Sequence, residues 1–130
     1  MKITFNNRVP VYVQVIQHFK EQMASRSLKP GQEIPSRREL AKMLKINPNT
    51  AQRAYKEMEE QGLIYTEGNL PSRITKDEQV LHAVKDELIL QAVNSFITSI
   101  RSIHVPLDEA IEVIKKNYEK DDQEKGDSDD

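Results

Sequence analysis

The chain contains no cysteine, which excludes a disulfide framework, a thiolate metal site and a cysteine nucleophile. No run comes near the ~18 consecutive apolar residues that a membrane-spanning helix needs. The opening residues Met1-Lys2-Ile3-Thr4-Phe5 lead into polar sequence with no apolar secretory core, so a cytoplasmic protein without a membrane partner is expected. Glycine is scarce, at four residues, and no glycine-lysine phosphate loop is present. The three histidines, His18, His82 and His104, have no helical spacing of three or four that would make a local metal pair. Carboxylate pairs such as Asp86-Glu87 have no nucleophile or base beside them, and Asp108-Glu109-Glu112 suits a helix N-terminus. Neither an enzyme nor a cofactor or metal site is expected.

What remains is 130 residues, 37% hydrophobic and 31% charged, enough for one ordinary domain or a small domain with an appendage. The net charge of -2 conceals an uneven distribution. Residues 1–75 hold 12 Lys+Arg and 7 Asp+Glu, a net of +5; residues 76–130 hold 7 and 14, a net of -7. A basic first half points toward a polyanion. The last ten residues hold six acidic groups and no apolar side chain, so 121–130 is expected to be a disordered acidic tail.

Helix signals divide the first half. Pro10 opens a helix whose Tyr12, Val15, Ile16, Phe19 and Met23 share one face, and Pro30-Gly31 marks a turn after it. Ser36-Arg37-Arg38-Glu39 has the spacing of a capping box, ahead of Leu40, Ala41 and Leu44. Asn47-Pro48 then supplies an N-cap and a first-turn proline, with Ala51, Ala54, Tyr55 and Met58 inward and Gly62 at the C-terminus. Two short helices joined by three or four residues make a helix–turn–helix. Leu63–Thr66 and Ser72–Thr75 read as a hairpin around Glu67-Gly68-Asn69, which completes a winged helix.

From about Lys76 one long helix carries Leu81, Val84, Leu88, Ala92, Phe96, Ile100 and Ile103 at spacings of three and four, with a second row, Val80, Ile89, Val93 and Ile97, beside it. Pro106 breaks it, and a last helix over about 107–118 carries Leu107, Ile111 and Ile114. Two such helices cannot cover so wide a stripe, so 76–120 is expected to be a dimerisation region using Leu81, Val84, Leu88, Ala92, Phe96 and Ile100. The fold class is therefore mainly α with a small β-wing: a winged helix–turn–helix over 1–75, followed by a two-helix C-terminal unit.

The outer face of the helix from Pro48 presents Asn49, Thr50, Gln52, Arg53 and Lys56. Arginine can pair with guanine, amides with adenine, and the threonine methyl can meet thymine, so this mixture suits a DNA major groove. Arg37 and Arg38 stand where a phosphate contact would fix the docking register.

Residues 9–75 resemble the DNA-binding domain of the GntR family of bacterial transcription regulators. The resemblance rests on Pro10-Val11-Tyr12-Val13-Gln14-Val15, Leu28-Lys29-Pro30-Gly31, Ile34-Pro35-Ser36-Arg37-Arg38-Glu39-Leu40-Ala41, Asn47-Pro48-Asn49-Thr50, Arg53-Ala54-Tyr55 and Gly62-Leu63-Ile64. The short helical remainder is similar to the YtrA-type branch, whose C-terminal part dimerises. The resemblance implies that Arg38 contacts DNA and that Asn49, Thr50 and Gln52 touch bases or phosphates. Pro48 stands where some relatives carry an arginine. The wing, Glu67-Gly68-Asn69-Leu70-Pro71-Ser72-Arg73, departs from the Gly-x-Gly-Thr-like tip of many members, which leaves Arg73 and the Gly68–Asn69 backbone to meet a phosphate.

The function expected is a homodimeric, sequence-specific repressor on a palindromic DNA operator, with targets, by resemblance, near its own operon and neighbouring transporter genes. The sequence identifies no small-molecule effector. The competing reading is a protein-interaction module in which the winged helix is structural and the long helix binds a partner. Nonspecific architectural binding is a third, disfavoured by the modest positive charge and the amide-rich helix face.

Overall fold

The computed structural model describes residues 1–128, with side chains through Lys120. The elements in order are α1 (Val11–Ala24), α2 (Arg37–Leu44), α3 (Pro48–Glu60), β1 (Ile64–Tyr65), β2 (Arg73–Ile74), α4 (Glu78–Ser102) and α5 (Leu107–Ser128). They form two compact units, Met1–Ile89 and Leu90–Asp130, and the division falls inside α4.

In the first unit, local capping places the helices where the sequence signals them. The Pro10 carbonyl accepts the first turn of α1 from the amides of Val13 and Gln14. Ser36 caps α2 by accepting from the Glu39 amide at 3.1 Å. Lys45 ends α2 in the left-handed region at φ 55°, and the Ile46 amide returns to the Ala41 carbonyl. Two residues on, Asn47 accepts from the Asn49 amide at 2.8 Å, and Pro48 takes the first position of α3. The turn between α2 and α3 is thus set by the left-handed Lys45 and the Asn47 cap. Ser36→Ala is expected to lower the urea midpoint, costing about 1 kcal/mol with an unchanged denaturant slope.

The core gathers Val15, Ile16, Phe19 and Met23 of α1, Leu40 and Ala41 of α2, and Ala51, Ala54, Tyr55 and Met58 of α3. Ala51 and Ala54 keep the inner face of α3 low where it packs on α1 and α2. Tyr55 is fully buried at the centre, edge-on to Phe19 with ring centroids 6.0 Å apart, and its hydroxyl donates to the Pro35 carbonyl. Burial pushes this phenol well above its usual pKa, against a downward pull from Arg37, so the hydroxyl stays a donor.

β1 and β2 pair antiparallel, Ile64 opposite Ile74 and Tyr65 opposite Arg73. Gly31–Ile34 runs along the other edge of β2. The Gly31 amide donates to Ile74 O, the Ile74 amide to Gln32 O and the Ile34 amide to Ser72 O, at 2.8–3.0 Å. This third line of pairing ties the loop before α2 to the wing. It has no alternating pattern of its own and lies between Pro30 and Pro35, so only tertiary pairing reveals it. Ile3–Phe5 takes no strand pairing; Ile3 and Phe5 pack against the core.

The first turns of α4 belong to this unit. Thr75 accepts from the Asp77 amide and Asp77 from the Gln79 amide, which starts the helix. Leu81 and Val84 are buried in the core with α1 and α3, and Leu88 packs partly against it. Arg26–Glu78 at 2.9 Å and Lys20–Glu87 at 3.0 Å fasten the same stretch. Leu81 and Val84, expected at a dimer seam, are therefore core residues of their own chain. The reason is that the apolar stripe of α4 changes face. Positions 81, 84 and 88 turn inward, whereas Ile89, Val93, Phe96 and Ile103 are exposed.

In the second unit, the rest of α4 and α5 flank an open, mainly apolar pocket of about 350 Å³ lined by Phe96, Ile100, Val105, Ala110, Val113 and Ile114, together with Glu109 and Asn117. Ala110 is buried, while Leu107, Ile111, Ile114 and Tyr118 remain exposed. Helical backbone extends to Ser128; the side chains of the acidic tail expected at 121–130 lie outside the described residues. Among the described residues, no helix is long and apolar enough to cross a membrane.

Candidate nucleic-acid interface

With the inner face of α3 fully buried, its outer face is fixed by the helical period. Asn49, Gln52, Arg53 and Lys56 are exposed, and Thr50 is half-buried. Asn49 is the second residue of α3, after Pro48, so these side chains start within the first turn; the amides there are already engaged, that of Asn49 by the Asn47 side chain and those of Thr50 and Ala51 by the Asn47 carbonyl.

The arginines placed near this face by sequence have different fates. Arg38 is exposed and takes no partner among the described residues. Its neighbour Arg37 is half-buried, donates to Glu59 Oε1 at 3.1 Å and lies 5.9 Å from the Tyr55 ring centroid. The same Glu59 oxygen accepts from Thr66 Oγ1 at 3.0 Å, and Thr66 shares a hydrogen bond with Ser72 Oγ. Arg37 therefore braces α2, α3 and the wing together. Arg73 is engaged within the chain as well. Its Nη2 meets Glu33 Oε1 at 2.8 Å and its Nη1 donates to the Gly31 carbonyl at 2.8 Å, which directs it to the loop before α2. Arg53 stacks on Tyr12, with the guanidinium carbon 3.9 Å from the ring centroid. Gly68, at φ +56°, and Asn69 form the exposed wing turn.

Between that turn and the start of α2 lies a groove of about 760 Å³, lined by Ser36, Arg38, Asn69, Leu70 and Ser72 among others. Its wall is mixed: the free guanidinium of Arg38 and the hydroxyls of Ser36 and Ser72 stand beside Ile34, Pro35 and Pro71 and the carboxylates of Glu33 and Glu39. Sequence reasoning missed Tyr12, Glu33 and Glu59. Tyr12 reads as one more apolar residue of α1, and the two glutamates show their role only through contacts across 40 and 22 positions.

A basic helix–turn–helix with a two-stranded wing is shared by several regulator families, and sequence likeness separates them. Residues 11–74 match the family described as bacterial regulatory proteins, gntR family. The HTH-type transcriptional regulator YhcF of Bacillus subtilis is 31% identical over 111 residues, covering 85% of this chain and 92% of that protein. The chain belongs to the GntR family. This GntR regulator is also 44% identical to the HTH-type transcriptional repressor YtrA of Bacillus subtilis over 66 residues, about half of each protein. Likeness extends to the fold. A GntR family transcriptional regulator from Listeria monocytogenes superposes with a TM-score of 0.80 at 28% identity, covering 86% of this chain and 98% of that one. The fold class read from the sequence, mainly helical with a small β-wing, agrees with these neighbours. As a GntR member the protein is a DNA-binding transcriptional regulator.

Proposed function

We propose that the protein is a homodimeric repressor that binds a palindromic operator through α3. The observation that carries the reading is the outer face of α3. Two amides and two cations, Asn49, Gln52, Arg53 and Lys56, stand exposed on a helix whose other face is locked into the core, next to the unpartnered Arg38. In the major groove this face offers donors and acceptors to base edges, while Arg38 and the α2–wing groove meet the backbone and set the register.

Dimerisation is supported by the apolar surface of α4 beyond Leu88 and of α5. On α4, Ile89, Val93, Phe96 and Ile100 are spaced 4, 3 and 4, with Ile103 three residues on, just past the helix end; on α5, Leu107, Ile111, Ile114 and Tyr118 are spaced 4, 3 and 4. These are heptad seams, and most of their members are exposed. Two copies pairing along them form a four-helix arrangement with twofold symmetry, and twofold symmetry in the protein asks for twofold symmetry in the DNA. The repressor sense rests on the relative named as a repressor, YtrA.

The test is a titration of DNA from upstream of the protein's own gene against a shuffled fragment of equal composition. At about 150 mM salt, where nonspecific attraction is weakened, a preference of about a thousandfold or more is expected. Equal, weak binding to both fragments would count against an operator there and favour the apolar helices as a docking surface for another protein.

A further inference from the structure

Arg53 differs from the other arginines near the interface in how it is held. Arg37 and Arg73 spend terminal guanidinium nitrogens on carboxylates. Arg53 instead places its guanidinium over the Tyr12 ring, the guanidinium carbon 3.9 Å from the centroid, and its Nε stands 3.7 Å from Glu57 Oε1 one turn along α3. A guanidinium held by its face keeps its edge donors available, because stacking and hydrogen bonding use perpendicular directions. Tyr12 makes a firm platform. It lies in the first turn of α1, half-buried and packed against the core, whereas the Arg53 side chain is 61% exposed.

We infer that Tyr12 is a positioning residue for DNA recognition: its ring fixes the Arg53 guanidinium with the terminal nitrogens free to donate to an acceptor on duplex DNA. The inference rests on the DNA-binding reading of α3 given above. An exposed arginine ordinarily loses rotamer freedom when it binds. The stack imposes that restriction before DNA arrives, so less is lost on association. Glu57 adds a second restraint at Nε and leaves both Nη groups uncommitted. The juxtaposition joins α1 to the recognition helix, so the α1 face serves the core with Val15 and Phe19 and the interface with Tyr12.

The experiment is a double-mutant cycle on the full chain, using whichever upstream fragment the wild type prefers over its shuffled control. Tyr12→Phe keeps the aromatic face and is expected to bind within about twofold of wild type. Tyr12→Leu keeps apolar bulk and is expected to bind about threefold to tenfold more weakly. In an Arg53→Ala background, Tyr12→Leu is expected to cause no further loss. Urea unfolding of each variant separates binding from folding. Three results would overturn the inference: an equal loss from Tyr12→Leu with and without Arg53, no loss at all, or tighter binding, which would mean that the stack holds Arg53 away from DNA. A wild type with no preference between fragments would instead overturn the DNA reading beneath it, and that is seen before any variant is compared.

Discussion

Phe96→Glu is expected to turn a dimer into a monomer and to weaken operator binding about a hundredfold or more. Phe96 is 39% exposed within a single chain and sits mid-way along the α4 seam, between Val93 and Ile100. A carboxylate there would have to be buried without a partner when two copies pair, a cost that no gain in packing offsets. Glutamate favours helix, so α4 itself should persist. The expected loss on DNA follows from linkage. Once one subunit is bound, its partner meets the second half-site at an effective concentration in the millimolar range, and a monomer forfeits that advantage. Sedimentation equilibrium reads the oligomeric state, and titrations of a full operator and an isolated half-site read the coupling. Half-site affinity should be unchanged. A variant that stays dimeric would place the seam elsewhere. A monomer with full operator affinity would separate pairing from DNA binding.

The helix boundaries of the first unit were legible because each is written locally. Ser36, Asn47-Pro48 and Gly62 act on backbone groups within a few positions, and a reader of the sequence needs nothing distant to place them. The third line of the sheet was not legible, because Gly31–Ile34 becomes strand-like only by meeting β2 across the fold. The long helix shows a subtler failure. Periodicity reports that positions 81 to 103 are apolar at helical spacing, but it cannot say that the partner changes along the way. Leu81 and Val84 complete the core around α1, and only from Ile89 onward is most of the stripe exposed. A spacing of four, repeated from Val84 through Leu88 to Phe96, joins the two faces into one row on paper. A helix turns about 100° per residue, so successive steps of four drift around it.

The candidate site was legible as an inventory and not as an arrangement. The residues that face outward from α3 follow from the four buried positions by subtraction, so Asn49, Gln52, Arg53 and Lys56 needed no coordinates. Which cations are already engaged depends on acidic residues far along the chain. Glu33 and Glu59 hold two of the expected DNA contacts, Arg73 and Arg37, in ion pairs that brace the wing. The wing turn itself carries Glu67 and no free cation among the described residues, so in the proposed docking the positive charge is concentrated on Arg38 and α3.

That concentration makes Arg38→Ala the sharpest test of the docking geometry. The side chain is exposed at the start of α2 and has no partner among the described residues, so its removal should change stability by less than about 0.5 kcal/mol. Operator affinity should fall about tenfold or more. The salt dependence tells which acceptor is lost. A phosphate contact predicts a uniform loss across sequences, with the slope of log K against log salt shallower by about 1; a base contact predicts relaxed specificity at one position of each half-site. Arg37→Ala, one residue away, should behave oppositely. It strips Glu59 of its cation and loosens the brace to Thr66 and the wing, so the urea midpoint should drop while the salt slope stays near that of the wild type. Two adjacent arginines that looked alike in the sequence would then be told apart by which measurement each one moves. If Arg37→Ala flattened the salt slope and Arg38→Ala did not, the duplex would have to approach α2 from the side of the Glu59 brace, and the major-groove placement of α3 would be wrong.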